Sequence, residues 1–452
     1  MKRFKSLWDR LLFRDKGIIP TKKLLLLYSL FILAILVLSV WQFSWLFLAL
    51  TTILAISLLT IDIFLLPKKE EMIVERMLES EMERYQKETV SISIQNLTSD
   101  NYMVRLKDGI PETFQTIFPS SQPVASEHKT MITYDVFPQR RGKFLIDSLY
   151  LRFKSKLGLW ERQITYNLPT EVKVIPNLSE AKRYLASAQN YLLHEGIKIR
   201  KMRSGGVGEF SKVRSYVVGD DPRKINWRQS AKLQEMMTNE YEPEHGKYVT
   251  ILIDCGRMMG VELKEGNRLE KTIEAAITLA TAALHNGDHI AVIAFSKEIK
   301  AVVPAGRGLE HLDIILQTIY AIQVDAQESN YALALQHAQS IQHKRSMMLL
   351  FSDVQTFVNE DHHLFYLKKL RKKHLFVMMG IEDQLLHQKI KMKPSNAILA
   401  MEKSVAQKQY LHQKQVMKKW EKHGLPMLEA PADRLAVTTV SHYIETLNRG
   451  ML

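Results

Sequence analysis

Three oxygen-bearing side chains in the C-terminal half stand where strand-end chemistry is usually done. Asp254 follows the apolar run 249–253, Asp353 follows the apolar run 347–351, and Ser329 with Asn330 precedes a helical pattern that begins at Tyr331. Carboxylates beyond the carboxyl ends of parallel strands can hold a hard cation such as Mg²⁺, which asks for near-octahedral oxygen ligands. The same residues can instead cap loops or the helices that follow, and both uses stay open at this level. A metal-dependent hydrolase would use Asp254 and Asp353 for phosphoryl chemistry. No general base or phosphate clamp accompanies them, so a non-enzymatic role is expected. Cys255 is the only cysteine, which excludes an intrachain disulfide. No Cys/His signature surrounds it, and it is expected to be a buried cysteine at a strand end.

A second cluster lies further towards the N-terminus. The loop Gly205-Gly206-Val207-Gly208 lacks the Gly-Lys-Ser/Thr that a phosphate-cradling loop needs. Beyond it come Gly208-Glu209-Phe210, Arg214, Tyr216, Gly219-Asp220-Asp221, Arg223 and Asn226-Trp227. Glu209 or Asp220 could be a general base. Arginines this close hold carboxylates ionised and make them poor bases at neutral pH. The structural use is favoured: Asp220 or Asp221 pairs with Arg214, Arg223 or Arg228 to lock a turn, and Trp227 anchors it in apolar contacts.

These residues need a frame, and the periodicity of the chain supplies one. From 247 to 452 apolar strands alternate with amphipathic helices. Strands are expected at 249–253, 289–295, 347–351, 374–379 and 426–428. Helices are expected at 268–286, 308–322, 331–343, 362–372, 407–423 and 434–447. Such repeats imply a parallel sheet covered on both faces, with any ligand beyond its carboxyl edge. From 68 to 176 the pattern has period two with Gly, Pro and Asn turns, which reads as a β-sandwich-like module. The segment 70–87 is compatible with either a helix or a first strand and loop.

At the N-terminus, 38 consecutive residues, 24–61, carry no formal charge. One straight helix of that length would be about 57 Å long, nearly twice the apolar thickness of a bilayer. A transmembrane hairpin within 24–66 resolves this, with spans at 24–40 and 45–66 and a turn at 41–44. Basic residues flank both ends, so both termini are expected in the cytoplasm, with residues 1–23 a basic cytoplasmic segment. The net charge is +14. Basic flanks attract anionic lipid, and the lysine run at 368–373 lacks any recognised nucleic-acid motif, so no nucleic-acid partner is expected. A membrane-associated nucleic-acid-binding protein remains an alternative.

The string from Gly208 to Trp227 closely resembles the hallmark of the family called domain of unknown function 58 (DUF58). Arg140-Arg141-Gly142 and Leu157-Gly158-Leu159-Trp160 look like turns of the β-module that precedes the hallmark in that family. The strand-end residues resemble the adhesion site of a von Willebrand factor A domain. By position, Asp254 matches its first carboxylate, Ser329 its threonine and Asp353 its last carboxylate. The two serine positions are Gly256 and Met258, a departure that leaves the set two hydroxyls short. The resemblance implies a doubly wound α/β domain of von Willebrand factor A type at 247–452, preceded by a hallmark segment at 177–246. It also implies a membrane-anchored adaptor in the bacterial inner membrane. Its partners would be the lipid bilayer, a MoxR-type AAA+ ATPase and an unknown protein client. A reporter fused after Leu452 should be active on the cytoplasmic side of the membrane; activity only on the outer side would overturn the two-span topology.

Overall fold

The computed structural model describes residues 17–40, 45–186, 209–217, 220–242, 246–358 and 363–452. At 38–40, 45, 48, 209–211, 241–242, 358 and 363–366 only the backbone is described. The chain forms two compact units, Met1–Ile175 and Pro176–Leu452.

The first unit opens with a short strand β1 (Ile18–Pro20) and two apolar helices, α1 (Lys22–Val40) and α2 (Trp45–Phe64). The expected turn between the helices lies outside the described residues. Leucines and isoleucines are exposed along both helices, from Leu25 to Val37 and from Leu46 to Ile61. Among the residues whose side chains are described, no helix is long and apolar enough to cross a membrane. The helical backbone runs to 19 and 20 residues respectively.

Nine strands follow: β2 (Met72–Met77), β3 (Glu81–Glu83), β4 (Glu88–Asn96), β5 (Tyr102–Asp108), β6 (Phe114–Ile117), β7 (Gln122–Val124), β8 (Lys129–Pro138), β9 (Gly142–Lys154) and β10 (Trp160–Ile175). The segment 70–87 is thus strand and loop. One sheet has the order β1-β10-β9-β5-β7, with β3 pairing on β10, and the other the order β2-β4-β8-β6. Alternate residues point inward, as Tyr102, Val104 and Leu106 do on β5, and they enclose one core with Ile92, Ile94, Leu149, Leu151 and Phe153. A buried ion pair also spans the core. Arg76 on β2 pairs with Asp108 on β5 at 2.5 Å and donates to the carbonyls of Ile146 and Leu168. Tyr134 donates to the same carboxylate at 2.6 Å. With its donors and acceptors met, the pair joins both sheets at the cost of desolvating two charges.

The apolar helices are tied to this module by one turn, Ser155–Trp160. Asp62, fully buried near the end of α2, accepts from the Ser155 hydroxyl at 2.6 Å and from the amides of Leu159 and Leu157. Trp160 donates its indole N–H to the carbonyl of Leu59, and Thr21, just before α1, donates to the carbonyl of Gly158 at 2.7 Å. Gly158 has φ +74°, a conformation that favours glycine. Arg162 reaches the carbonyls of Leu66 and Pro67, just beyond the end of α2. The basic N-terminal segment is therefore not wholly a tail, since Ile18–Pro20 pairs with β10.

The second unit begins with helix α3 (Ser179–Ala186), then the hairpin strands β11 (Glu209–Ser215) and β12 (Met237–Glu242) with helix α4 (Trp227–Leu233) between them. There follow β13 (Tyr248–Asp254), α5 (Arg268–His285), β14 (His289–Phe295), β15 (Ile299–Gly306), α6 (Glu310–Ile319), α7 (Tyr331–Ile341), β16 (Ser346–Phe351), α8 (Val354–Val358) and α9 (His363–Arg371). The unit closes with β17 (Leu375–Ile381), α10 (Gln384–Lys391), α11 (Ala397–Lys422), β18 (Met427–Ala430) and α12 (Leu435–Asn448). The sheet order is β15-β14-β13-β16-β17-β18. Every pairing is parallel except that of β15 with β14. Strands β13 and β16 are apolar on both faces because helices cover both: α3, α5, α6 and α12 on one side, α7, α8, α9 and α11 on the other. Strand β15 and helix α10 go beyond the sequence expectation, and the helix expected at 407–423 begins at Ala397, where Asn396 caps it. Because the order reverses between β13 and β16, a crevice opens beyond their carboxyl ends.

Replacing Asp62 with alanine would leave a hydroxyl and two amides without their acceptor. The expected loss is about 3 kcal/mol of stability in the first unit, with faster amide exchange at Leu157 and Leu159 than elsewhere in the sandwich. Exchange there that matches the wild type would show that the turn holds without it.

Candidate functional site

The crevice at the β13/β16 switch point is built around Asp254, the last residue of β13. Its carboxylate is only 2% exposed. Oδ1 accepts from the hydroxyl of Ser329 and from the amide of Gly256 at 2.8 Å. Oδ2 accepts from Ser352 at 2.5 Å and from Tyr331 at 3.0 Å, and these two hydroxyls are also 2.8 Å apart. Four donors from four points of the chain thus converge on one charge. Burial still dominates and pushes the Asp254 carboxyl above its usual range, with the hydrogen bonds opposing. Burial, reinforced by the Asp254 charge, raises the Tyr331 phenol well above its ordinary value.

The loop that delivers Ser329 is itself fastened. Asp325 accepts from Ser296 at 2.8 Å and from Lys300 at 2.7 Å, and the Lys300 hydrogen bond leads the causes that pull its carboxyl down to about 2. The backbone of this loop pairs with that of Cys255, Arg257 and Ser296.

Asp353 lies beside Ser352 but faces other partners. Its Oδ1 meets Arg268, at the first turn of α5, at 2.5 Å. Its Oδ2 accepts from the amide and hydroxyl of Thr356, capping α8. Both members of the ion pair are buried. The three expected ligands are therefore distributed over two linked arrangements: Asp254 with Ser329, and Asp353 with Arg268. Among the described residues no group of three His, Cys, Asp or Glu is placed to hold a metal ion.

Geometry also accounts for Gly256, where the adhesion pattern has a serine. A Cβ there would collide with the Ser329 hydroxyl and approach Asp254 Oδ1 to 3.2 Å. The Ser329 hydroxyl takes the space that a side chain at 256 would need. Met258 is half-buried and offers only a thioether. Three participants, Arg268, Tyr331 and Ser352, were not expected from the sequence. The signals available were weak: an arginine opening a helix, and a serine beside an expected ligand. Cys255 is fully buried, as expected.

The hallmark segment forms the β11–β12 hairpin and its connection. Arg214 grips Asp220 with two parallel bonds of 2.8 Å, and Asp220 also accepts from the amide of Val217. The Arg214 bond, ahead of that amide, holds the Asp220 carboxyl below its ordinary value. Tyr216 donates to the carbonyl of Asp220, and Asp221 accepts from the amide of Arg223. Asn226 caps α4 through the amide of Gln229 and donates to Asn239 at 2.8 Å. Of the expected arginines, Arg214 makes the pair. Arg223 and Arg228 are exposed. Gly208 and Gly219, like the loop 205–208, lie outside the described residues, and of Glu209 and Phe210 only the backbone is described. Trp227 corrects an expectation. It does not anchor the turn in apolar contacts but is 68% exposed, because the polar clasps hold the turn without it.

Residues 212–389 match the family model described as "Protein of unknown function DUF58". The uncharacterized protein YeaD of Bacillus subtilis (strain 168) is 23% identical over 244 residues, 51% of this chain. The chain spans 57% of that protein's length. Among solved structures, the conserved hypothetical protein BatB from Bacteroides thetaiotaomicron is similar over 45% of this chain and all of its own, at 14% identity and a TM-score of 0.30. Native alpha-2-macroglobulin from Escherichia coli, from domain MG7 to the C-terminus, is similar over 23% of this chain and 16% of its own. Its identity is 14% and its TM-score 0.19.

Two outcomes are expected of the Asp254 cluster. Gly256→Ser should cost about 2 kcal/mol through overpacking, and Ser329→Ala in the same chain should recover part of it; additive losses in chemical denaturation would show that the two positions do not compete. Folded Asp254 takes up its proton at higher pH than the unfolded carboxyl, whose value is near 3.8. Its penalty is therefore full above the folded pKa and disappears as the pH falls to the unfolded value. The stability of the wild type relative to Asp254→Asn should rise over that interval, as read by thermal midpoints; a flat or falling difference would contradict the assignment.

Proposed function

Since this chain belongs to the DUF58 family over residues 212–389, we propose that it is a non-enzymatic adaptor, held at a membrane, that binds protein partners. The observation that carries the proposal is the outer surface of the hallmark hairpin. Two polar pairs, Arg214–Asp220 and Asn226–Asn239, hold its frame. Beside the exposed Arg223 and Arg228, it turns Trp227, Val217, Leu233 and Met236 to solvent. A large apolar group on a hydrogen-bonded frame loses unfavourable water contact when a partner covers it, and tryptophan is enriched among the residues that carry interface binding energy.

The strand-end site supports binding over bond-breaking. Every carboxylate oxygen of Asp254 and Asp353 already accepts a hydrogen bond, and the positive charge beside Asp353 comes from Arg268. Both carboxylates are engaged by partners within the protein. The donors do not fit Mg²⁺ as they are arranged, so the crown of the sheet works as a metal-independent face. The strand order, with β15 alone antiparallel, supports a domain of von Willebrand factor A type. The hairpin reading rests on the outward-facing apolar residues of α1 and α2. Their backbones span about 28 and 30 Å, close to the apolar thickness of a bilayer. In the family resemblance the partner is a MoxR-type AAA+ ATPase, which supplies energy while this chain presents a client.

Capture of that ATPase from membranes by the full chain should fall at least tenfold with Trp227→Ala and stay unchanged when divalent cations are chelated. Unaltered capture by Trp227→Ala would remove the hairpin from the interface. Turnover of a phosphoester or nucleotide by the purified chain, abolished in Asp254→Ala, would replace the adaptor with an enzyme.

A further inference from the structure

One stretch of the second unit is strongly basic. Between 363 and 423 the chain has fourteen lysines and arginines against four acidic residues. This stretch contains α9, α10 and α11. The second half of α11 joins the core through Met417 and Trp420. The first half pairs with α10: Lys403 donates to the carbonyl of Met392 at 3.0 Å, and His387 meets the Tyr410 ring edge-on. On this first half Ile398, Met401 and Val405 are each about two-thirds exposed. Spacings of three and four residues put them on one helix face, and Lys408 continues the same stripe, seven residues beyond Met401. Lys419 and Lys422, eleven and fourteen residues beyond Lys408, continue the same side of the helix and are exposed. Glu402, the acidic residue beside the stripe, is neutralised by Lys389 at 3.3 Å.

We infer that the α10–α11 arm is a docking element for an anionic lipid surface: Ile398, Met401 and Val405 of α11 enter the headgroup boundary while Lys408, Lys419 and Lys422 on the same side of the helix meet lipid phosphates. An apolar stripe bordered by lysines has this character. Burial of the three side chains is favourable, each lysine near an anionic surface adds about 1 kcal/mol, and the lysine stems reach past apolar surface to place their charge in water. A nucleic acid would engage the lysines but leave the stripe wet. This contact is separate from the hairpin of α1 and α2.

The test uses the full chain with Met401→Cys carrying an environment-sensitive fluorophore; Cys255 is fully buried and stays unlabelled. The protein is reconstituted into nanodiscs of phosphatidylcholine alone or mixed with phosphatidylglycerol. Reconstitution reports on the hairpin, and the emission reports on the arm. The expected result is a blue shift in the anionic discs only, reversed by high salt and lost when Lys408, Lys419 and Lys422 are all changed to glutamate. If the chain does not enter discs, the same shift is sought on adding anionic vesicles, which separates failure of the anchor from failure of the arm. Identical emission with neutral and anionic lipid, or a shift produced by duplex DNA and not by lipid, would overturn the proposal.

Discussion

A charge taken out of water at the end of the central strand is the constraint that organises the second unit. Asp254 can be buried only because four donors reach it, and they come from the loop after β13, the segment before α7, the first turn of α7 and the end of β16. Any loop that failed to arrive would leave an unmet oxygen in a low-dielectric site, which costs far more than an exposed bond gains. The crown is therefore cooperative. Gly256 has no side chain because Ser329 needs its space, and the loop of Ser329 is clasped through Asp325, Ser296 and Lys300. A site in which every acceptor is already met is suited to presenting a fixed shape.

The first unit solves a similar problem twice. Arg76 and Asp108 are buried between two sheets, and their hydrogen bonds to β8, β9 and β10 repay part of the desolvation. Asp62 does the equivalent at the end of α2, where its carboxylate organises the turn before Trp160. Arg162, just past the turn, meets the backbone carbonyls of Leu66 and Pro67 that follow the helix. The β-module is thus joined to the apolar helices by directional bonds, which transmit orientation better than a flexible tether would.

Much of the frame could be read in advance because it follows from local periodicity. The continuous apolar runs of β13, β14 and β16, the alternation of β5 and the amphipathic pattern of α5 each state their burial in a few consecutive residues. Strand β15 was harder, since an edge strand alternates weakly and carries Pro304. Helix α11 was foreseen only from 407, and its first half, whose apolar stripe faces solvent instead of the core, was not. Of the hallmark, a carboxylate–arginine clasp near 220 was legible from spacing and charge, but which of Arg214, Arg223 and Arg228 would make it with Asp220 or Asp221 was not. The exposure of Trp227 was not, because size and apolarity predict burial only when nothing else holds the turn.

Composition and pattern alone determined that this chain has a long uncharged segment, a period-two module, an alternating α/β unit and a cluster of arginines and carboxylates near 220. These are one-dimensional properties, set by which residues are neighbours along the chain. What the tertiary structure decided was how each polar group is used. Ser329 and Asp254 are 75 positions apart, and Arg268 and Asp353 are 85 apart. Whether such residues coordinate a cation or satisfy one another depends on how closely their loops approach, and that distance is set only when the sheet and its covering helices close together.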